Sequence, residues 1–321
     1  MQPLAGTLVV DFTRYLPGAY ASRELLRLGA RVVRLEPPEG DPMRSTAPAW
    51  DAVLNAGKES VAIDLKRDPE LGLKLLARAD VVLEGFRPGV AERLGVGPDA
   101  APDTAVYCSI TGFGHESSHV GRAGHDLNYL GWAGILADTA PTHPPVQVAD
   151  LAAGALTAVA QILAALLERA QTGRGTRLVV SMTHESHRLA AHRLAGEPVP
   201  RLLTGGLACY DTYATADRRW LTIAALEPQF FHRLCELIER PDLFERHLDG
   251  DAQNALGDEL AEIFAAKPLA AWLQLFDGED VCAAPVATLA EAAEEFGETP
   301  DPRPAPRLGE HTQAWREELA L

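Results

Sequence analysis

In the first half of the chain, short apolar runs alternate with stretches of helical spacing. Leu8-Val9-Val10, Val61-Ala62-Ile63, Val81-Val82-Leu83, Leu178-Val179-Val180 and residues 31–35 and 105–110 are short and rich in β-branched side chains, which predicts strands. Helical patterns fall at 21–28 and 69–79, and a long apolar helix follows Asp150. Strand alternating with helix predicts an α/β unit on a parallel sheet covered on both faces. Beyond Met182 the pattern changes. Residues 183–201 carry His and Arg where a core would want Leu, and read as a connector. A second α+β unit follows, with strands at 210–213 and 220–224 and helices at 228–238, 253–265 and 269–276. Residues 296–307 are rich in Pro and acid and read as a strap. The expected division is a large domain over 1–182, to which 303–321 return, a linker over 183–204, and a small domain over 205–295.

Length agrees with two domains, since the chain has 321 residues. Apolar residues make up 47% and charged ones 23%, a globular composition that excludes disorder over most of the chain. The net charge of -16 argues against nucleic acid and against anionic lipid as general partners. The most apolar stretch, 151–167, is interrupted by Thr157 and Gln161 and reads as a buried core helix, not a membrane span. Cys108, Cys209, Cys235 and Cys282 lie far apart without CxxC spacing, as reduced thiols do in a cytoplasmic protein. No targeting signal is visible, and cytoplasmic localisation is the expectation.

The usual nucleotide signatures are missing: there is no GxGxxG after the first strand and no GxxxxGK[ST]. His184 and His187 in HESH lack the spacing of a zinc-binding HExxH, so no metal site is expected. Three segments carry more. In Gly124-His125-Asp126-Leu127-Asn128-Tyr129, His125 reads either as part of a polar helix start or as a general base. Asp150 reads either as the N-cap of the apolar helix or as a carboxylate at the mouth of a buried site. Glu227, just before Pro228, suits a helix start. Lys66, Arg87 and Arg93 lie near strand ends, where they either grip an anion or are simply solvated.

Taken in order, these segments resemble the family III CoA-transferase superfamily, and within it the α-methylacyl-CoA racemase branch. The resemblance runs through LAGTLVVDFTR, GFRPGVAERLGVGPD, YCSITGFG, GHDLNYL, TGRGTRLVVSM and GGLACYDTY to EPQFF and VCAAPV. It implies a Rossmann-like large domain with a smaller α+β domain, an interlocked homodimer, and an acyl-CoA thioester as substrate. It implies catalytic roles for His125 and Asp150, with Glu227 supporting the imidazole from the neighbouring chain. CoA contacts are implied at Ile63, Asp64, Leu65, Lys66, Gly85, Phe86, Arg87, Arg93, Gly124, Asp126, Leu127, Asn128 and Tyr129. The expected reaction inverts C2 of a 2-methyl-branched acyl-CoA through an enolate, with no cofactor beyond the CoA of the substrate. The alternatives are CoA transfer through an aspartyl intermediate, or acyl-CoA binding without turnover.

Overall fold

The computed structural model describes residues 2–196, 201–297, 301 and 303–321. It divides into two compact units, Met1–Ala191 with Pro300–Leu321, and His192–Thr299. The first is built on six strands: β1 (Leu8–Asp11), β2 (Arg31–Glu36), β3 (Glu59–Ala62), β4 (Val81–Glu84), β5 (Val106–Thr111) and β6 (Arg177–Ser181). All neighbours are parallel, in the order β3-β2-β1-β4-β5-β6. Register explains the apolar runs. Val9 pairs with Val32 and Val81 and faces one side, while Val10 pairs with Val33 and Val82 and faces the other. Both faces are buried, so consecutive positions must be apolar. The strand order reverses between β1 and β4, and in such sheets ligands bind beyond the carboxyl ends of the strands at that point.

Helices cover the two faces. Tyr15–Arg27 starts earlier than the sequence pattern suggests, because its first turns bury Gly18, Ala19, Ala21 and Ser22, which carry no apolar stripe. Glu70–Leu76 covers the opposite face with Leu71 and Leu75. The apolar helix begins as a π-helix, Ala149–Leu156, and continues as an α-helix, Thr157–Thr172. Its 24 residues are long and apolar enough to cross a membrane by composition, so it outruns the stretch read from the sequence. Ala149, Ala155, Ala158 and Ile162 belong to the core. The expected linker is also corrected. Met182–Leu189 is a helix of the first unit, capped by Ser181 Oγ accepting from the His184 N–H at 3.3 Å, and packed on the π-helical turn. Only Met182 and Ser186 are buried and most of its polar residues face outward, so no apolar period betrays it.

Strand β3 is an edge, and the C-terminal segment closes it. The His311 N–H donates to Ser60 O at 2.9 Å, the Ser60 N–H to His311 Nδ1 at 3.2 Å, and the Ala62 N–H to Thr312 Oγ1 at 3.0 Å. In the following helix, Thr312–Glu318, Trp315 is 1% exposed, lies 4.1 Å beneath the Arg31 guanidinium, and donates Nε1–H to Glu59 at 2.6 Å. In the second unit, β7 (Tyr210–Ala214), β8 (Trp220–Ala224) and β9 (Ala283–Pro285) form an antiparallel sheet. Helices Pro228–Leu237, Gln253–Phe264 and Leu269–Phe276 pack Phe231, Leu256, Phe264 and Trp272 into its core. Residues 298–300 and 302 of the expected strap lie outside the described residues.

Candidate active site

Two clefts open beyond the carboxyl ends of the parallel strands. One, of about 420 Å³, is lined by Phe12, Leu35, Glu36, Ile63, Asp64, Leu65, Lys66 and Leu94, among others. The other, of about 480 Å³, is lined by Thr13, Tyr15, Gly18, Gly85, Arg87, Arg122, Gly124, His125, Asn128, Tyr129, Asp150 and Met182, among others. Arg14 and Phe86 line both, so the two clefts adjoin at these residues like the arms of a groove. Strand ends fix its walls. The Phe86 N–H donates to Glu84 Oε2 at 2.7 Å, tying the Gly85-Phe86-Arg87 loop to the end of β4. The Thr13 N–H and Oγ1–H both donate to Asp11 at the end of β1. A side chain at Gly18 would run into Thr13, its Cβ only 2.0 Å from Thr13 Oγ1, so the first helix needs a glycine there.

Tyr15 enters that helix with φ +66°, a left-handed conformation that is uncommon for a residue with a side chain. A buried polar cluster holds it there. The Tyr15 N–H donates to Asp41 Oδ2 at 3.0 Å, and Arg34 pairs with Asp41 at 3.2 Å and Asp51 at 2.9 Å. Lys58 donates to Ala19 O, Ser22 Oγ and Asn55 Oδ1 at 2.7–2.9 Å, using all three ammonium protons, while burial pushes its pKa down to about 7.

His125 is exposed in the cleft at the N-cap of the helix Asp126–Trp132, its ring edge-on to Tyr15 at 6.5 Å. Asn128 Oδ1 accepts from the His125 N–H at 3.1 Å, fixing the backbone from which the imidazole projects. Tyr129 donates its hydroxyl to Gly124 O and packs edge-on against Phe113 at 5.3 Å. Asp150 does not cap the apolar helix. Val148 holds the N-cap position, and Asp150 lies in the first turn, where its backbone N–H donates to Asp126 Oδ1 at 2.9 Å. Burial raises the Asp150 carboxyl to about 7, and the neighbouring Asp126 charge adds to the effect. The cleft therefore contains an imidazole and a carboxyl that exchanges its proton near neutral pH, the equipment of general acid–base chemistry.

The structure brings most of the expected residues to this groove: Ile63 to Lys66 in one arm, and Gly85 to Arg87, Gly124, His125, Asn128, Tyr129 and Asp150 in the other. Arg93, Asp126 and Leu127 line neither arm. Arg93 is exposed at the end of the helix Val90–Arg93, Leu127 is half-exposed, and Asp126 reaches Asp150 instead. Glu227 belongs to the second unit, exposed at the N-cap of the helix Pro228–Leu237. Sequence reasoning passed over Tyr15, Arg14 and Arg122. The polar Thr13-Arg14-Tyr15 directly after the first apolar strand was a usable signal for the first two.

The model of CoA-transferase family III matches residues 4–300. The human α-methylacyl-CoA racemase is 33% identical over 99% of this chain and 94% of its own length. Mouse succinyl-CoA:glutarate CoA-transferase is 31% identical over 92% of this chain and 74% of its own. Among solved structures, Rv3272 from Mycobacterium tuberculosis superposes with a TM-score of 0.83 at 29% identity, covering 98% of this chain and 99% of that one. A CAIB/BAIF family protein from Brucella suis does so with 0.83 at 27%, covering 99% of each. With the family model spanning nearly the whole chain and the same fold recurring end to end in these relatives, the protein is an enzyme of the CoA-transferase family III superfamily.

Proposed function

We propose that the enzyme interconverts the configuration at C2 of a 2-methyl-branched acyl-CoA by removing the α-proton on one face and returning one on the other. His125 and Asp150 are the two acid/base groups, and the enolate is the intermediate. The observation that carries this reading is the Asp150 carboxyl raised to about 7 in the same cleft as His125. Proton transfer is most efficient when the catalytic group's pKa lies near the working pH. A nucleophile for CoA transfer is better served by a fully ionised carboxylate. The reading keeps Glu227 as the residue that orients the imidazole, in a cytoplasmic homodimer, and needs no metal or redox cofactor. The groove's two arms suit a long substrate, with the nucleotide part of CoA against Ile63 to Lys66 and the thioester near His125. Both racemase and transferase relatives stand near 30% identity, so the experiment must separate the two activities. Incubation with 2-methylacyl-CoA in D2O should place deuterium at C2 with no added acceptor. Turnover only with an added carboxylate, and an acyl group trapped from Asp150 by hydroxylamine, would make the enzyme a transferase.

A further inference from the structure

We propose that Asp126 is a positioning residue for Asp150, and that the single turn from His125 to Asn128 sets the spacing of both acid/base groups. The inference rests on the proton-transfer role of Asp150 just given. Two hydrogen bonds leave this turn. Asn128 Oδ1 holds the His125 N–H at 3.1 Å, and Asp126 Oδ1 holds the Asp150 N–H at 2.9 Å. The second is unusual in kind. A helix that begins at Ala149 leaves its first N–H groups without partners, and an N-cap side chain normally answers one of them. Here Val148 occupies the cap and cannot, so a carboxylate from 24 residues earlier in the chain does so. The contact falls in the π-helical segment, a local geometry that recurs at functional sites. Because His125 and Asp126 are adjacent, moving one moves the other, and the imidazole and the Asp150 backbone travel together.

The bond is also a charge placement. A helix N-terminus stabilises an ionised carboxylate and would lower Asp150. The Asp126 charge works against this, disfavouring a second negative charge beside it. Other groups share the cleft with Asp150: Arg14 and Tyr15 at the start of the first helix, Arg87 after β4, and Arg122, His125 and Tyr129 around the helix Asp126–Trp132. The helix Met182–Leu189 presents Met182, and the end of β5 presents Ile110 and Thr111. Beside burial, it is the Asp126 charge that holds the Asp150 carboxyl above its ordinary value. The resemblance gave Asp126 to CoA, yet it lines neither arm of the groove.

Two variants of the full-length enzyme separate the alternatives. Asp126→Asn keeps an oxygen acceptor for the Asp150 N–H and removes the charge, whereas Asp126→Ala removes both. The Asp150 carboxyl is followed by 13C NMR titration, assigned by its absence in Asp150→Asn, alongside the pH profile of α-proton exchange. In Asp126→Asn the Asp150 midpoint should fall by about one pH unit, the usual scale for losing a near like charge, and the acid limb of kcat should move with it. In Asp126→Ala kcat should fall at least about tenfold further, with KM little changed, since a small misplacement of a reacting group is costly. An unchanged Asp150 midpoint in Asp126→Asn overturns the inference, as does a rise in KM alone. Because the titration needs no turnover, a shifted midpoint in an enzyme that exchanges no α-proton would uphold the contact and reject the racemase reading instead.

Discussion

Replacing Asp150 by asparagine separates two consequences of burying that carboxyl. The ordinary value for an aspartate is 3.8, and in the fold it rises to about 7. A folded-state pKa above the unfolded one means that the native protein holds a proton which the unfolded chain gives up. Native stability therefore falls as pH rises from about 4, and the loss is complete above about 7. At about 1.4 kcal/mol per pH unit, the full penalty has a ceiling of roughly 4 kcal/mol, and relaxation and water at the cleft mouth bring it nearer 2 kcal/mol. An amide of the same shape carries no such penalty. It loses no cap, because Asp150 does not occupy the N-cap, and the Asp150 N–H still meets Asp126. Asp150→Asn should accordingly be more stable than wild type at pH 8, by about 2 kcal/mol or several degrees in Tm, and equal to it below pH 4. The same variant should exchange the α-proton of 2-methylacyl-CoA about 100- to 10,000-fold more slowly. Thermal unfolding across pH 4 to 8, with deuterium incorporation at pH 7.5, reads both. An inactive variant whose stability gain over wild type is no larger at pH 8 than at pH 4 would refute the argument from burial, and a fully active one would refute the assignment of the residue.

Two further substitutions probe the walls of the groove. In Gly112→Ala the new Cβ would lie 2.6 Å from Tyr129 Cε1 and 2.8 Å from its hydroxyl, and Phe113 and the bond to Gly124 leave that ring nowhere to go. The variant should lose about 1–3 kcal/mol by denaturant unfolding and slow α-proton exchange by displacing Gly124-His125, whereas wild-type stability would mean that the ring moves freely. Trp315→Ala removes a fully buried indole and its contacts to Arg31 and Glu59, and should cost about 3–5 kcal/mol in the first unit while weakening CoA binding by calorimetry, because the chain from β3 runs directly into Ile63 to Lys66.

The parallel sheet is easy to read in the sequence for a physical reason. Strands buried on both faces must be apolar at every position, and Leu8-Val9-Val10 and Val81-Val82-Leu83 leave little else to be. Elements that bury little escape the same reading. Met182–Leu189 sinks two side chains and looks like a polar connector, and β9 is three residues long and ends in proline. The groove shows the same division. His125 and Asp150 stand out because each is a polar residue set just before an apolar stretch, and both line one cleft. The choice between cap and site for Asp150 depends on a bond to Asp126, a contact between distant residues that no local period records. The left-handed Tyr15 is equally invisible, since its conformation is imposed by Asp41 and the buried arginine behind it.

The closure of β3 by the C-terminal segment has a consequence for the order in which the chain is made. Everything from His192 to Thr299 is inserted between the body of the first unit and the piece that completes it. During synthesis the five inner strand pairings can form while Ser60 and Ala62 still present bare N–H and C=O groups along the sheet's rim. Such a rim is a template for pairing with another chain. The second unit, whose strands and helices lie close together in sequence, has time to fold first. Only when His311, Thr312 and Trp315 leave the ribosome is that rim sealed. The nascent enzyme therefore passes through a sticky stage that lasts until the helix Thr312–Glu318 is translated, and a chain truncated before Thr312 should aggregate even though every strand of its sheet is present.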